Sequence, residues 1–381
     1  MRIFDVAVAG GGLIGGAIAL ELASAGLNVG LFDRQEPGRE ASWASAGILS
    51  PAPESPAMLP LVPLGKASMA LYPAFIQTVE ELSGSSTGFR PKGTLQAIVS
   101  RSAREELNTI VALHHGLGLP AEPISGPEAR ELEPALAAEV EAAVLRPAEA
   151  SVDNRALIQS ILQSAQRSGV KLISGTPIDA IWREGTRCLG LISGAEKFAS
   201  QFTVIATGSF SAGISGASIY APVRPAKGQM LSLRCEGVPI ERVLWSENIY
   251  LVPRNDGRIL AGATVEYLGF EKTVTLGGIS KLSAAATELV PALKDARIEE
   301  TWAGLRPDSP DHLPILGPVD VEGLLFATGH FRSGVLLTPI TAKLVREWIT
   351  EKNTTLDCRR FSPLRFQAIA SAHAGASASS D

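Results

Sequence analysis

The stretch DVAVAGGGLIGGAIALELASAGLNVGLFDR, residues 5–34, constrains this chain more than any other. IFDVAVAG reads as an apolar strand, LIGGAIALELASAG as a helix stopped by Gly26, and NVGLFDR as a second strand. That order predicts a βαβ unit with a parallel sheet. Between the first strand and the helix, Gly10-Gly11-Gly12-Leu13-Ile14-Gly15 matches G-x-G-x-x-G. The pattern alone says little. Here it comes after a strand, opens a helix, and has Asp33 at the end of the second strand, the context a dinucleotide fingerprint requires. Gly10 permits the tight turn, Gly12 lets the backbone approach a pyrophosphate, and Gly15 lets the helix pack close to the strand. The helix N-terminus offers N–H groups and a positive dipole to phosphates, and Asp33 would accept hydrogen bonds from ribose hydroxyls. The competing reading is a glycine-rich turn without a ligand. The motif itself serves NAD and FAD alike.

The rest of the chain favours FAD. A nicotinamide enzyme usually continues with its remaining parallel strands, whereas this chain breaks into long insertions and returns to the same pattern near its C-terminus. Prolines at 51, 53, 56, 60 and 63 predict a loop from Ser50 to Lys66. Helices are expected over 66–84, 102–118 and 154–169. The runs ending "VIATG" and "LLFATG" read as strands, and KGQMLSLRC, NIYLVPR and RILAGATVE alternate in period two, the mark of antiparallel strands. A last long helix is expected from Ser333. The fold class expected is α/β: a Rossmann-like FAD-binding domain, built on a βαβ unit with a parallel sheet, interleaved with an α+β substrate domain on a mostly antiparallel sheet. Its discontinuous boundaries are 1–85, 145–220 and 298–366 for the FAD-binding domain and 86–144 and 221–297 for the substrate-binding domain, with a disordered tail over 367–381.

At 381 residues, 45% of them apolar and 19% charged, the chain is long enough for two domains and a large core. A net charge of -5 argues against nucleic acid. Cys188, Cys235 and Cys358 are widely spaced, so neither a disulfide framework nor a zinc site is indicated. His114-His115 gives no metal motif, and no metal is expected. A reducing, cytoplasmic setting fits this cysteine usage. The N-terminus resembles a signal peptide only superficially, because Asp5 and the glycines interrupt it. No stretch is expected to be long and apolar enough to span a bilayer.

Two arginines stand out. Arg306 interrupts TWAGLRPDSPDHLPILG and Arg332 interrupts TGHFRSGVLLTPITA, both otherwise apolar. A guanidinium in such surroundings is costly without an anion. The bland alternatives are an ion pair of Arg306 with Asp308 or Asp311, and a helix-entry role for Arg332. His312 reads as a loop residue, and Glu266 as facing solvent or a neighbouring strand.

Those two segments resemble the D-amino acid oxidase family of FAD enzymes, within it the glycine oxidase group associated with making the thiazole of thiamine. VAGGGLIGGAIALELA, EASWASAGILSP, VIATGSFS, PVRPAKGQML and YLVPRNDGRILAGATVE do so as well. The resemblance runs nearly to Phe366. It implies that Leu13, Ile14, Asp33 and Arg34 hold the adenosine and pyrophosphate. It also implies that Ala41, Ser42, Ala46, Gly47 and Ile48 wrap the middle of FAD and the flavin, and that Ile178 lies by the adenine. His330, Phe331, Arg332, Ser333, Gly334, Val335 and Leu336 would border the isoalloxazine, with a helix beginning near Ser333 aimed at it. Arg306 and Arg332 fall on the family's substrate arginines, and Tyr250 on its active-site tyrosine, which as a residue is also an ordinary strand aromatic.

The related sarcosine oxidases carry a flavin-linked cysteine near the place of Arg306, so the resemblance implies non-covalent FAD here. Val265 stands where glycine oxidases have methionine, which bears on pocket size. The implied reaction is oxidative deamination of glycine, sarcosine or D-alanine by hydride transfer from Cα to flavin N5, giving an imine and then an α-keto acid and ammonia, with O2 reduced to H2O2. A homotetramer is implied by the same likeness. Two other readings stand beside it. One is a quinone-linked D-amino acid dehydrogenase of the same fold, with Met58–Leu64 as the only candidate membrane-facing segment. The other is a non-catalytic flavin-binding protein.

Overall fold

The structure is a computed structural model that describes residues 3–99 and 103–367. Within the glycine-loop unit, Ile3–Ala9 forms a strand, Leu13–Ser24 a helix and Val29–Phe32 a strand. The two strands pair in parallel, Val6 opposite Val29 and Ala9 opposite Phe32. Gly26, at φ +87°, ends the helix as expected. The first strand is buried on both faces. Val6 and Val8 pack with helices, while Ala7 and Ala9 pack with the opposite layer, which is why it reads as continuously apolar.

Distant segments complete this first sheet. Its central order is Ile315–Pro318, Leu324–Thr328, Glu196–Ile205, Ile3–Ala9, Val29–Phe32, Lys171–Ile173. Parallel pairing runs from Leu324–Thr328 to Lys171–Ile173, and Ile315–Pro318 adds an antiparallel edge. The helices Leu13–Ser24, Val62–Ser83, Asn154–Arg167 and Thr338–Thr350 bury their apolar stripes on one face.

The second sheet is mostly antiparallel, in the order Arg297–Asp308, Arg224–Arg234, Arg258–Gly262, Tyr250–Pro253, Val243–Trp245, Thr94–Ile98, Ala142–Arg146, Glu122–Ser125. Its one parallel pair joins Val243–Trp245 to Thr94–Gln96. Period two does the sorting here. Leu231, Leu233, Leu251, Ile259 and Ala261 pack with the helix Leu276–Leu289, while Met230, Tyr250, Val252 and Leu260 face the other way, toward Ala46, Ile48 and Trp302. Arg297–Asp308 pairs along its length with Arg224–Arg234 in this sheet, although the expected boundary at 298 assigned it to the other part. The expected tail concerns residues that, beyond Gln367, lie outside those described.

Three local expectations need correction. The proline-rich stretch is not loop throughout: a 3-10 turn over Pro56–Leu61 leads into a helix that starts at Val62, because proline is tolerated in a helix's first turn. Pro56–Ser83 is therefore a helical run long and apolar enough to cross a membrane by length and composition, contrary to the sequence expectation. A core helix passes the same test. Here Ser68 Oγ donates to the Leu336 carbonyl and Tyr72 OH to that of Val335, both at 2.5 Å, tying the run to the interior. The last helix begins at Thr338 rather than Ser333. Phe331 takes φ +47°, residues 331–337 form turns, and Pro339 fits the first helical turn where its missing N–H costs nothing.

Candidate active site

One cavity of ≈ 830 Å³ runs between the two sheets, within the size range of ligand sites. Every residue named above for cofactor or substrate lines it except Gly15. Gly15 works from behind: a Cβ there would lie 1.8 Å from the Gly10 carbonyl oxygen. Gly10 takes φ +103°, and a Cβ on it would meet the Ala206 carbonyl oxygen at 2.4 Å. At Gly12 the neighbour is Ser42 Oγ, which accepts from Leu13 N–H at 2.9 Å. Gly10 and Gly12 thus present bare backbone to the cavity, and a side chain at either would collide with Ala206 or Ser42.

Asp33 stands at the same end. Its carboxylate accepts from Gly11 N–H at 2.8 Å and from Gln35 N–H at 3.0 Å. Burial raises its pKa, and those two hydrogen bonds oppose the rise. Arg34 stacks on Phe210, 3.5 Å from the ring centroid, and bonds Glu40 at 2.5 Å. Ile178 also lines this end. Asp33→Ala would remove an anchor of the loop as well as the expected ribose acceptor. FAD retention is expected to weaken about tenfold or more, read as the flavin-to-protein absorbance ratio after dialysis. A variant that stays fully yellow counts against the role.

The middle wall is the short helix Ala41–Ala44 with Ala46-Gly47-Ile48. Sequence reasoning missed its brace. Arg254, 6% exposed, donates from Nη2 to the Ala46 carbonyl and to Asn154 Oδ1, both at 2.9 Å. Burial pulls its pKa down to about 10 despite Asp153 nearby.

At the far end, strand register brings Arg306, Tyr250 and Met230 to one face. Arg306 Nη1 donates to the Thr264 carbonyl at 3.1 Å, and its guanidinium lies against Gly228, where a Cβ would fall 2.3 Å from Nη1. Tyr250, 8% exposed, directs its hydroxyl to Met230 Sδ at 3.4 Å. Desolvation lowers the Arg306 pKa; the adjacent Tyr250 hydroxyl opposes this and Arg332 reinforces it. Neither suggested aspartate is its partner. Asp308 is fully buried and bonds His312 Nδ1 at 2.7 Å and Tyr267 OH at 2.8 Å, while Asp311 pairs with Arg365 at 2.9 Å. Among the described residues Arg306 has no ion pair.

Arg332 differs. It pairs with Glu54 at 2.5 Å, so the anion it lacked in sequence comes from the proline-rich loop. Loss of solvation raises the Glu54 pKa, opposed by Arg332, Arg306 and Arg146 in that order. The helix-entry alternative for Arg332 falls with the helix start at Thr338. Val265 is 45% exposed and does not line the cavity, so it does not set pocket size. Glu266 faces a neighbouring strand, bonded to Lys227 at 3.2 Å and Gln229 at 2.8 Å.

The 330–336 turn is tied down at its start. His330, 3% exposed, has Nε2 3.1 Å from Thr341 Oγ1, and burial drops its pKa to about 3. Its folded value lies below the unfolded value of about 6.5, so the unfolded chain takes the proton first. Stability is full above pH 6.5 and falls as pH drops toward 3. This group should cost about 2 kcal/mol at pH 5. His330→Gln is expected to flatten that acid-side loss in denaturant titrations at pH 7 and 5; an unchanged slope would show the histidine is not the source.

The family described as FAD dependent oxidoreductase (DAO) matches residues 5–348. A bifunctional protein ThiO/ThiG of Trichormus variabilis is 36% identical over 371 residues, covering 96% of this chain and 56% of that protein. The chain thus spans about half the length of such two-part relatives. A glycine oxidase of Geobacillus kaustophilus is 33% identical over 366 residues, covering 95% of this chain and 97% of that one. The crystal structure of glycine oxidase from Geobacillus kaustophilus superposes with a TM-score of 0.91 at 32% identity, covering 96% of this chain and 99% of the other.

Proposed function

Because this chain belongs to the FAD-dependent oxidoreductase (DAO) family, we propose that it oxidises the Cα–N bond of a small amino acid: glycine, sarcosine or D-alanine. The observation that carries this reading is Arg306. It is a guanidinium in a cavity wall, without a carboxylate partner among the described residues, beside a buried tyrosine hydroxyl. A substrate carboxylate is the planar anion that completes it, and bidentate pairing fixes its orientation. Tyr250 would turn its hydroxyl from the weak Met230 sulfur acceptor to that carboxylate. Arg332, already paired with Glu54, would close the site and steer the anion rather than bind it alone.

The cradle of bare glycine backbone with Asp33 fits the adenosine and pyrophosphate of FAD, and the Ala46–Ile48 and His330–Leu336 segments would flank its ring. FAD, when bound, supplies the two-electron acceptor for hydride leaving Cα. The protein's part is to hold the substrate by its carboxylate so that Cα–H faces that ring. Glycine would lose two electrons and two protons, both taken by O2 as H2O2, and water would hydrolyse the imine to glyoxylate and ammonia. None of Cys188, Cys235 and Cys358 lines the cavity, which supports non-covalent FAD, released on acid precipitation.

A discontinuous two-domain division, with Arg297–Asp308 moved to the substrate-binding part, and a cytoplasmic setting, from the cysteine usage, belong to the same proposal; a homotetramer and a role in thiamine synthesis rest on the likeness to relatives. Mixing the yellow protein with glycine, sarcosine or D-alanine under argon tests the core of it. Bleaching is expected, with oxygen uptake and peroxide when air returns. No bleaching with any of the three overturns the reading, and bleaching without oxygen uptake replaces the oxidase with a dehydrogenase.

A further inference from the structure

Four arginines line the cavity, and the fold itself supplies a carboxylate to three of them. Arg34 pairs with Glu40 at 2.5 Å, Arg146 with Glu149 at 3.4 Å and Arg332 with Glu54 at 2.5 Å. Arg306 has no ion pair among the described residues, and its Nη1 donates instead to the Thr264 carbonyl at 3.1 Å. Arg306 and Arg332 therefore do not offer a substrate two equal positive charges, because one of them is already neutralised.

The Arg332 pair differs from the other two in its place. Arg34 and Glu40 stand at the Asp33 end. The Arg146 and Glu149 side chains are 9% and 5% exposed, and Glu149 is not part of the cavity wall. Arg332 and Glu54 both line the cavity, with side chains 26% and 27% exposed, so this pair is open to a ligand. Its two backbones are held. The helical run that follows Glu54 is tied through Ser68 and Tyr72 to the carbonyls of Leu336 and Val335, and His330 is bonded to Thr341 just before Arg332. Burial lowers the Arg306 pKa most and Tyr250 opposes it; Arg332 then lowers it further while Glu54 raises it, so the three charges act on one another.

The charges decide what can bind. One substrate carboxylate fills the vacancy at Arg306. A second carboxylate on the same molecule could reach Arg332 only by displacing Glu54 or by sharing the guanidinium with it. Either way two anions would crowd one cation, which repulsion opposes. We propose that Glu54 is a specificity-determining residue, an internal carboxylate that occupies Arg332 in place of a ligand and restricts the site to substrates bearing one carboxylate. The proposal rests on the reaction proposed above and narrows its substrate class.

Acid and amide partners of one shape isolate the charge: N-(carboxymethyl)glycine against N-(carbamoylmethyl)glycine, and aspartate against asparagine in each enantiomer. In the unmodified protein the amide is expected to exceed its acid in kcat/KM by about tenfold or more in at least one pair. In that pair Glu54→Gln, which keeps the shape and removes the competing charge, is expected to raise the acid-to-amide ratio by about tenfold or more. Adding Arg332→Leu to Glu54→Gln is expected to abolish the gain. Dissociation constants from the flavin absorbance shift give the same ratios for compounds that bind without turning over. The proposal is overturned if the acid matches or beats the amide in every pair in the unmodified protein, if Glu54→Gln leaves the ratio where it was, or if the gain survives Arg332→Leu. Should glycine fail to bleach the flavin while Glu54→Gln still shifts the ratio of dissociation constants through Arg332, the reaction falls and the role of Glu54 stands.

Discussion

Arg306→Ala is expected to give a folded, yellow protein whose kcat/KM for glycine is down by about a hundred- to several-thousand-fold. That corresponds to about 3–5 kcal/mol of lost transition-state stabilisation, the cost of stripping one partner from a buried ion pair. The residue's surroundings explain both halves of the result. Its guanidinium rests on Gly228 and one carbonyl, so removing it breaks no protein ion pair and spares the fold. It also leaves a substrate carboxylate with only Tyr250 and a preoccupied Arg332. Arg306→Lys keeps the charge but loses the planar fork, and is expected to recover only part of the activity. Steady-state kinetics with the flavin spectrum of each variant decide it. Unchanged turnover in Arg306→Ala would remove the clamp from the mechanism.

The second large effect is expected in the glycine loop. Gly15→Ala places a Cβ 1.8 Å from the Gly10 carbonyl oxygen, and Gly10→Ala combines φ +103° with a 2.4 Å approach to the Ala206 carbonyl. In both cases the obstacle is backbone, which cannot swing aside. Each variant is expected to lose about 3 kcal/mol or more of stability and to purify without flavin. Gly26→Ala is the control. It shares a positive φ of +87° but has nothing within 4 Å of the added methyl, so about 1–2 kcal/mol of backbone strain is all it should cost. Thermal unfolding midpoints and flavin content distinguish the two kinds of glycine. Equal losses at 15 and 26 would contradict the close-packing account.

Much of this site is legible in the chain itself. The βαβ unit obeys local rules, because one turn, one helix and two strands are neighbours in sequence as well as in space. Period-two alternation likewise places the strands around Met230 and Tyr250. Arg306 is visible because a guanidinium in an apolar strand conflicts with its surroundings. Proline misleads at helix starts, where it is tolerated, and Pro73 lies inside the Val62–Ser83 helix without ending it. Pro56 and Pro63 lie in first turns, where proline is favourable, and so does Pro339 of the last helix, which starts at Thr338. Val265 belongs to a motif that lines the pocket elsewhere along its length, yet the chain beyond Gly262 turns this side chain outward.

Local sequence was enough to specify the glycine cradle, the acid at the end of the second strand and the presence of an uncompensated arginine, since each depends on residues close together in the chain. Which cations are left free is a matter of the folded arrangement. Glu54 reaches Arg332, Arg254 braces Ala46, and Gly228 makes room for Arg306, across separations that no local pattern encodes. Electrostatic pairing and steric fit act through space, and the fold alone sets those distances.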